Sequence, residues 1–139
     1  MRVLISSVTS YLGYYLAQHL LLNGHQVVGT YRSQSSKFFS LSLQNNFTPI
    51  KLSHSYSSHF PIIDGAFDLL INSTGAYSDH NVSDDDIIYA NIKIASVIKD
   101  LATANPHACV INLSSLSVYG DLKIKLIDSS TLPSPASTY

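Results

Sequence analysis

The opening segment "RVLISSVTSYLGYYLAQHLLLNGHQVVGTYR" (2–32) contains the clearest structural pattern of the chain, a strand, a helix and a second strand. Its first part, "RVLIS" (2–6), is a short apolar run bounded by serine and threonine, which predicts a buried strand. In "YLGYYLAQHLLLN" (11–23), leucines recur every four residues along one helical face, and Gly24 stands where a glycine commonly ends a helix. "HQVVGTY" (25–31) predicts the second strand. This unit is the one from which parallel sheets are built.

The remainder of the chain continues the alternation. The patterns predict a helix at 33–45, strands at 47–53 and 67–75, a long helix at 83–105 and a fifth strand at 108–115. Pro49 weakens the third strand unless it lies near the strand's start or at a bulge. Ser83, followed by three aspartates, predicts a capped helix start. Because the strands are apolar rather than alternating, we predict an α/β doubly wound parallel sheet, with ligands bound at the carboxyl ends of its strands.

Composition limits the functions to be considered. The 139 residues suit one domain, and hydrophobic residues (45%) far outnumber charged ones (12%), as in a sheet covered on both faces. A net charge of −1 without a basic stripe argues against a nucleic-acid partner. No apolar stretch approaches the roughly 18–20 residues of a membrane span, and no secretion signal is visible. Cys109 lies in an apolar run, so we predict a core residue in a reducing compartment and a cytoplasmic protein.

The segment "SSVTSYLG" (6–13) occupies the position of a phosphate-binding turn, between the first strand and the first helix. The three glycine positions of a dinucleotide fingerprint fall on Ser7, Ser10 and Gly13, and the third alone is glycine. A side chain at position 10 crowds the approach of a pyrophosphate, and Ser7 is strained if its φ is positive. The helix amino end still attracts anions. From these residues alone, an ordinary strand–helix turn remains the alternative.

Five segments together carry a family resemblance that covers residues 1–139. The opening segment is similar to a glycine-rich turn and helix followed by a G-H-x-V-x-G strand. The segment "FDLLINSTGAY" resembles D-x-V-I-H-x-A-A, and "YANIKIASVIKDLA" resembles N-V-x-G-T-x-N-L-L-x-A. The segment "VINLSSLSVYG" resembles V-x-x-S-S-x-S-V-Y-G, and "PSPASTY" resembles the approach to Y-x-x-x-K. They are motifs of the extended short-chain dehydrogenase/reductase superfamily, the NAD(P)-dependent sugar-nucleotide epimerases and dehydratases. The resemblance implies a Rossmann fold.

The resemblance implies Ser115 and Tyr139 as catalytic residues. In the family the tyrosine exchanges the proton of a substrate hydroxyl, the serine hydrogen-bonds the same oxygen, and a lysine lowers the pKa of the tyrosine. That lysine would follow Tyr139, and Lys123 and Lys125 precede it. We therefore expect residues 1–139 to be a cofactor-binding domain that is incomplete at its C-terminal end, lacks the substrate lobe and does not itself catalyse hydride transfer.

The resemblance further implies NAD or NADP as cofactor. The implied cofactor-binding residues are Ser7, Thr9, Ser10, Tyr11, Leu12, Gly13, Tyr31, Arg32, Asn72, Thr74, Gly75, Asn91 and Ser114, with Tyr77 nearby. Relatives that use NAD carry an acid at the position of Tyr31, whereas Arg32 could pair with a 2′-phosphate, which favours NADP over NAD. A solvated arginine is the alternative for Arg32, and turn chemistry is the alternative for the residues after strand four.

The implied substrate is a nucleotide sugar or a similar small molecule, and the implied assembly is a homodimer through the helix at 83–105. A non-catalytic Rossmann module, supported by the serines of the first turn, and a self-association unit remain as alternatives. No metal site is expected, because the six histidines show no ligand spacing on one element.

Overall fold

The computed structural model describes residues 1–52, 63–76, 83–120 and 126–136. Within these ranges five parallel strands form one sheet in the order β3-β2-β1-β4-β5. The strands are β1 Arg2–Ile5, β2 Gln26–Tyr31, β3 Phe47–Lys51, β4 Leu69–Asn72 and β5 Cys109–Asn112. The chain leaves the sheet after β3 and returns on the other side of β1, so the strand order reverses beside β1. This confirms the predicted doubly wound parallel sheet.

Helices connect the strands. They are α1 Tyr11–Leu22, α2 Ser36–Ser42, α3 Asp84–Ile88 and α4 Ile94–Ala104, with a π-helical turn at Tyr89–Lys93 and a 3₁₀ turn at Leu116–Tyr119. Gly24 follows α1 at φ +78°, a conformation that costs glycine nothing. Ser83 caps α3 as predicted, because its Oγ accepts the N–H of Asp86 at 3.2 Å. No helix in the described ranges is long and apolar enough to cross a membrane.

The core has two layers, one on each face of the sheet. Val3 and Ile5 of β1 face one side and pack with side chains of α1 and α2. Leu4, between them, faces the other side and packs with Ile94 and Ile98 of α4. Because successive side chains of a strand point to opposite faces, an apolar β1 needs helices on both sides.

Pro49 lies in the middle of β3 rather than near its start, and it pairs with Gly29. Leu52 donates its N–H to the carbonyl of Tyr31 at 2.7 Å. Since N–H groups alternate in direction along a strand, the nitrogen of residue 49 points away from β2. An edge strand tolerates proline in that orientation because no ladder hydrogen bond is lost.

Two sequence-based expectations were wrong. The helix at 83–105 is not one α-helix: Ile94 donates its N–H to Tyr89, and the wider turn separates α3 from α4. Cys109 is exposed rather than in the core. It belongs to β5, an edge strand of the described sheet whose residues are all exposed. Apolar composition identifies a strand, but whether another layer covers that strand depends on the rest of the fold.

Candidate cofactor-binding cleft

An open cleft lies at the carboxyl edge of the sheet, beside the point where the strand order reverses. In a doubly wound sheet this is the expected place for a ligand. The lining comes from the first turn, the end of β2, the segment after β4 and the π-helical turn with the start of α4. The lining residues are Ser7, Thr30, Tyr31, Arg32, Leu52, Thr74, Gly75, Tyr89, Ala90 and Ile94.

The turn after β1 is fixed to the end of β2. Ser7 donates its N–H to Oγ1 of Thr30 at 3.0 Å, and Val8 donates its N–H to the carbonyl of Thr30 at 2.9 Å. Ser7 adopts φ +58°, the left-handed region that favours glycine, so the turn demands there the conformation that a fingerprint glycine would supply. Ser7 carries that conformation with a side chain.

The amino end of α1 faces the same edge of the sheet. Ser10 is the cap residue, and its Oγ accepts the N–H of Gly13 at 3.1 Å. The hydroxyl of Ser10 is therefore turned toward its own helix. The first intrahelical bond runs from Tyr14 to Ser10, so the N–H groups of Tyr11 and Leu12 have no intrahelical acceptor. Such groups attract anions at a helix amino end.

Gly13 permits close contact between α1 and the first turn. A Cβ at this position would lie 2.3 Å from the carbonyl oxygen of Ser7 and 2.9 Å from the hydroxyl oxygens of Ser10 and Ser73. A side chain fits there only if the helix or the turn shifts. The third fingerprint position thus keeps its packing role, although the first two positions carry serines. Thr9, also implied by the resemblance, lies in the turn between Ser7 and Ser10.

A polar network joins the ends of three strands. Ser6, 1% exposed, donates from its Oγ to Oδ1 of Asn72 at 2.8 Å, and Asn72 donates from its amide to Oδ1 of Asn112 at 2.8 Å. Ser73 and Thr74 donate their N–H groups to Oγ of Ser6 at 2.9 and 3.1 Å. Asn72 is itself 4% exposed. Asn72 therefore joins β4 to β1 and β5 at the carboxyl edge of the sheet and is not one of the residues that line the cleft.

The segment after β4 is held to the long helical region by one side chain. Asn91, in the π-helical turn, accepts the N–H of Ala76 at 3.0 Å and donates its amide to the carbonyl of Ala76 at 2.9 Å. The nearest atom to a Cβ built on Gly75 is Oδ1 of Asn91, at 4.0 Å, so the glycine leaves open space toward the cleft. Asn91 positions the segment that carries Thr74 and Gly75.

Arg32 is the charged residue of the cleft lining. Its Nη1 lies 3.7 Å from Oδ1 of Asp86, with exposures of 45% and 38% for the two side chains, and no other ion pair is recorded among the described residues. Oδ2 of the same carboxylate accepts the hydroxyl of Ser83 at 2.7 Å. The neighbouring Tyr31 is 8% exposed and packs on Phe38, with ring centroids 4.3 Å apart.

Tyr89 forms part of the cleft wall. Burial raises the pKa of its phenol above the ordinary value of 10.0, and the positive charge of Arg32 opposes this shift. Its side chain, 8% exposed, also belongs to the apolar layer beneath α4. The tyrosine is therefore neutral at physiological pH.

The end of β5 carries the proposed catalytic serine. Ser115 is half-buried and caps the 3₁₀ turn, since its Oγ accepts the N–H of Ser117 at 3.2 Å. Ser114 precedes it and is exposed. The other predicted catalytic residue, Tyr139, lies outside the described residues, as does Tyr77.

Several residues in or beside the cleft escaped the sequence analysis. Ser6 ends a predicted strand, and a small polar residue at a carboxyl strand end is a signal that could have found it. Thr30 lies near the carboxyl end of β2, and the run "VVGTY" predicted a strand without indicating a role for this residue. Asp86 was interpreted only as part of a helix start. Its approach to Arg32 depends on tertiary structure and leaves no local signal.

Comparison with known proteins places these features in context. The model of the NAD dependent epimerase/dehydratase family matches residues 3–139. No curated protein sequence matches significantly. The solved enzyme WbmG of Bordetella bronchiseptica, in complex with NAD, is 18% identical with a TM-score of 0.76 over 100% of this chain and 45% of that one.

Two epimerase structures are similar in the same way. UDP-N-acetylglucosamine 4-epimerase from Methanobrevibacter ruminantium, in complex with UDP-N-acetylmuramic acid, is 19% identical with a TM-score of 0.76 over 99% of this chain and 45% of that one. The UDP-Glc/GlcNAc 4-epimerase from Campylobacter jejuni is 13% identical with a TM-score of 0.73 over 99% and 44%. The chain thus spans less than half the length of these three structures, and at such identities the likeness shows the fold.

Proposed function

The chain belongs to the NAD-dependent epimerase/dehydratase family, whose model matches it from residue 3 to residue 139, and on this premise we propose that it forms the cofactor-binding part of an NAD(P)-dependent oxidoreductase, epimerase or dehydratase. The proposed substrate is a nucleotide sugar or a similar molecule with a hydroxyl or carbonyl group. Nucleotide-sugar epimerases among the structures of similar fold support this substrate class.

The observation that carries the proposal is the position of the cleft. It opens at the carboxyl edge beside the strand-order reversal, between the first turn, Arg32 after β2, and Thr74 after β4. A dinucleotide bound there would direct its pyrophosphate to the free N–H groups of Tyr11 and Leu12 and its adenosine toward the end of β2. The close packing at Gly13 and the open space at Gly75 fit such a ligand.

When bound, the nicotinamide supplies the hydride acceptor or donor. We propose that Ser115 hydrogen-bonds the substrate oxygen and that Tyr139 exchanges its proton. The half-buried position of Ser115 at the end of β5 supports this role, because β5 is parallel to β1 and ends at the same edge of the sheet. A phenol with an ordinary pKa of about 10 needs a nearby positive charge to act as a base at neutral pH.

Three further features belong to the same proposal. Exposed Ile88 and Ile92 (46% and 60%) on the segment 83–105 support a homodimer through that segment, which sedimentation velocity would resolve as a discrete species. We also propose a cytoplasmic location, which fractionation of cells that carry the protein would test. The side chain of Arg32 by itself favours NADP over NAD, whereas its ion pair with Asp86 opposes that preference.

Titration of the chain with NAD and NADP, followed by isothermal calorimetry, tests cofactor binding. We expect saturable binding in the micromolar range for at least one dinucleotide. Gly75→Leu, which adds a large side chain to the cleft lining, should abolish binding, whereas Asn45→Leu, which places the same side chain in the exposed loop before β3, should leave it unchanged. The matched control separates loss of the site from loss of solubility.

A non-catalytic Rossmann module is the second candidate, and the first turn favours it. Ser7 carries φ +58° with a side chain, and Ser10 places a Cβ where a fingerprint glycine lets a backbone approach the pyrophosphate. Absence of binding at millimolar NAD and NADP, with the fold intact by circular dichroism, would favour this module over the enzyme.

A further inference from the structure

We propose that Asp86 is a specificity-determining residue of the cleft, which selects NAD against NADP by holding Arg32 and excluding a 2′-phosphate. The inference rests on the proposed function, since it assumes that the cleft binds the adenosine half of a dinucleotide. It replaces the sequence-based preference for NADP, which considered Arg32 without its partner.

The geometry gives the carboxylate a fixed place. Oδ1 of Asp86 lies 3.7 Å from Nη1 of Arg32, and Oδ2 accepts the hydroxyl of Ser83 at 2.7 Å. The N–H of Asp86 donates in turn to Oγ of Ser83 at 3.2 Å. Because the helix cap orients the carboxylate, its negative charge stays beside Arg32 at the rim of the cleft.

The end of the second strand is the place where this fold distinguishes the two cofactors. An acidic side chain there accepts the ribose 2′-hydroxyl of NAD, whereas an arginine pairs with the 2′-phosphate of NADP. Tyr31, at the position of the acid, is buried against Phe38 and has no carboxylate to offer. Asp86 brings a carboxylate to the same region from a different element.

Electrostatics then favour the cofactor without the extra phosphate. A phosphate monoester carries a charge of about −1.5 to −2 near pH 7. To pair with Arg32 it must displace the carboxylate of Asp86 and remain close to a like charge, which raises the cost of binding. A 2′-hydroxyl is neutral and donates a hydrogen bond, so the Arg32–Asp86 pair opposes it far less.

The adenosine halves of the cofactors provide a direct test. We would measure the dissociation constants of 5′-AMP and of adenosine 2′,5′-bisphosphate by calorimetry for the chain, Asp86→Asn, Arg32→Gln and Asp84→Asn. Asp86→Asn keeps the size and an acceptor oxygen but removes the charge. Asp84→Asn is the control, because it removes a charge from the same helical turn. Asp84 is exposed and forms no ion pair among the described residues.

The unaltered chain should bind 5′-AMP more tightly than the bisphosphate. Asp86→Asn should tighten the bisphosphate by about tenfold relative to 5′-AMP, whereas Asp84→Asn should change the ratio by less than about threefold. The double variant Arg32→Gln/Asp86→Asn should lose most of the bisphosphate affinity that Asp86→Asn gains by itself.

The outcomes separate the two proposals. If 5′-AMP binds and Asp86→Asn leaves the ratio within about twofold, or shifts it no more than Asp84→Asn, the role of Asp86 is refuted while the cofactor site stands. If neither ligand binds any variant up to millimolar concentration, the cofactor site fails and this inference fails with it.

Discussion

Replacing Gly13 by alanine tests whether helix α1 lies directly on the first turn. The new Cβ would lie 2.3 Å from the carbonyl oxygen of Ser7, whereas ordinary contact begins at 3.4 Å, so the two groups must separate by 3.4 − 2.3 = 1.1 Å. The hydroxyls of Ser10 and Ser73, each 2.9 Å from the Cβ, can rotate away. The carbonyl belongs to the backbone of the turn, so relieving that contact requires the helix or the turn to move.

The magnitude follows from two opposing effects. Overpacking of this kind typically costs about 1–3 kcal/mol, and alanine returns at most about 1 kcal/mol in helix propensity. We expect Gly13→Ala to lower the free energy of unfolding by about 1–2 kcal/mol, which corresponds to a fall in Tm of roughly 3–8 °C for a chain of this size. Binding of NAD should weaken as well, because the turn and the helix end move apart.

Urea unfolding followed by circular dichroism measures the change. Gly75→Ala is the matched control, since its Cβ meets nothing closer than 4.0 Å and its stability should stay within about 0.5 kcal/mol of the original chain. If Gly13→Ala proves as stable as Gly75→Ala at an unchanged urea dependence, α1 does not rest on the turn as described and the reasoning is refuted.

Two further predictions concern the turn and the cleft wall. Ser7→Gly should raise the free energy of unfolding by about 0.5–1 kcal/mol in the same urea assay, because relief of φ +58° outweighs the backbone entropy of glycine; a lower stability would show that the side chain stabilises the turn. Burial raises the pKa of Tyr89. The stabilisation that this shift gives the fold is therefore fully present below about pH 10 and is lost as the pH rises through the pKa of Tyr89 in the folded state. The urea midpoint should therefore fall more steeply above about pH 10 than in Tyr89→Phe, and parallel curves for the two chains would contradict this.

The sequence was sufficient for the sheet but not for the cleft wall. Apolar runs of strand length separated by helical stripes allow few arrangements, and the rules of parallel connections lead to the observed order. The cap at Ser83 and the glycine after α1 were equally local and equally predictable. The π-helical turn was not, because the apolar periodicity around Ile94 is compatible with an uninterrupted helix.

Features that depend on approach between distant segments could not be predicted. Arg32 and Asp86 each have a sufficient local explanation, a loop arginine and a helix-start acid, and only the folded chain brings them together. Asn72, the last residue of β4, was predicted from its motif to contact the cofactor, and only the folded chain shows that its side chain is bonded between Ser6 and Asn112. The exposure of Cys109 depends on what covers β5, which its own neighbours do not encode.

The paired hydrogen bonds between Asn91 and Ala76 have a mechanical consequence. They tie the rim after β4 to the helical segment on which Asp86 also lies, while the N–H groups of Ser73 and Thr74 tie the same rim to Ser6 at the end of β1. A displacement of the helical segment away from the sheet would therefore have to break one of these two sets of hydrogen bonds.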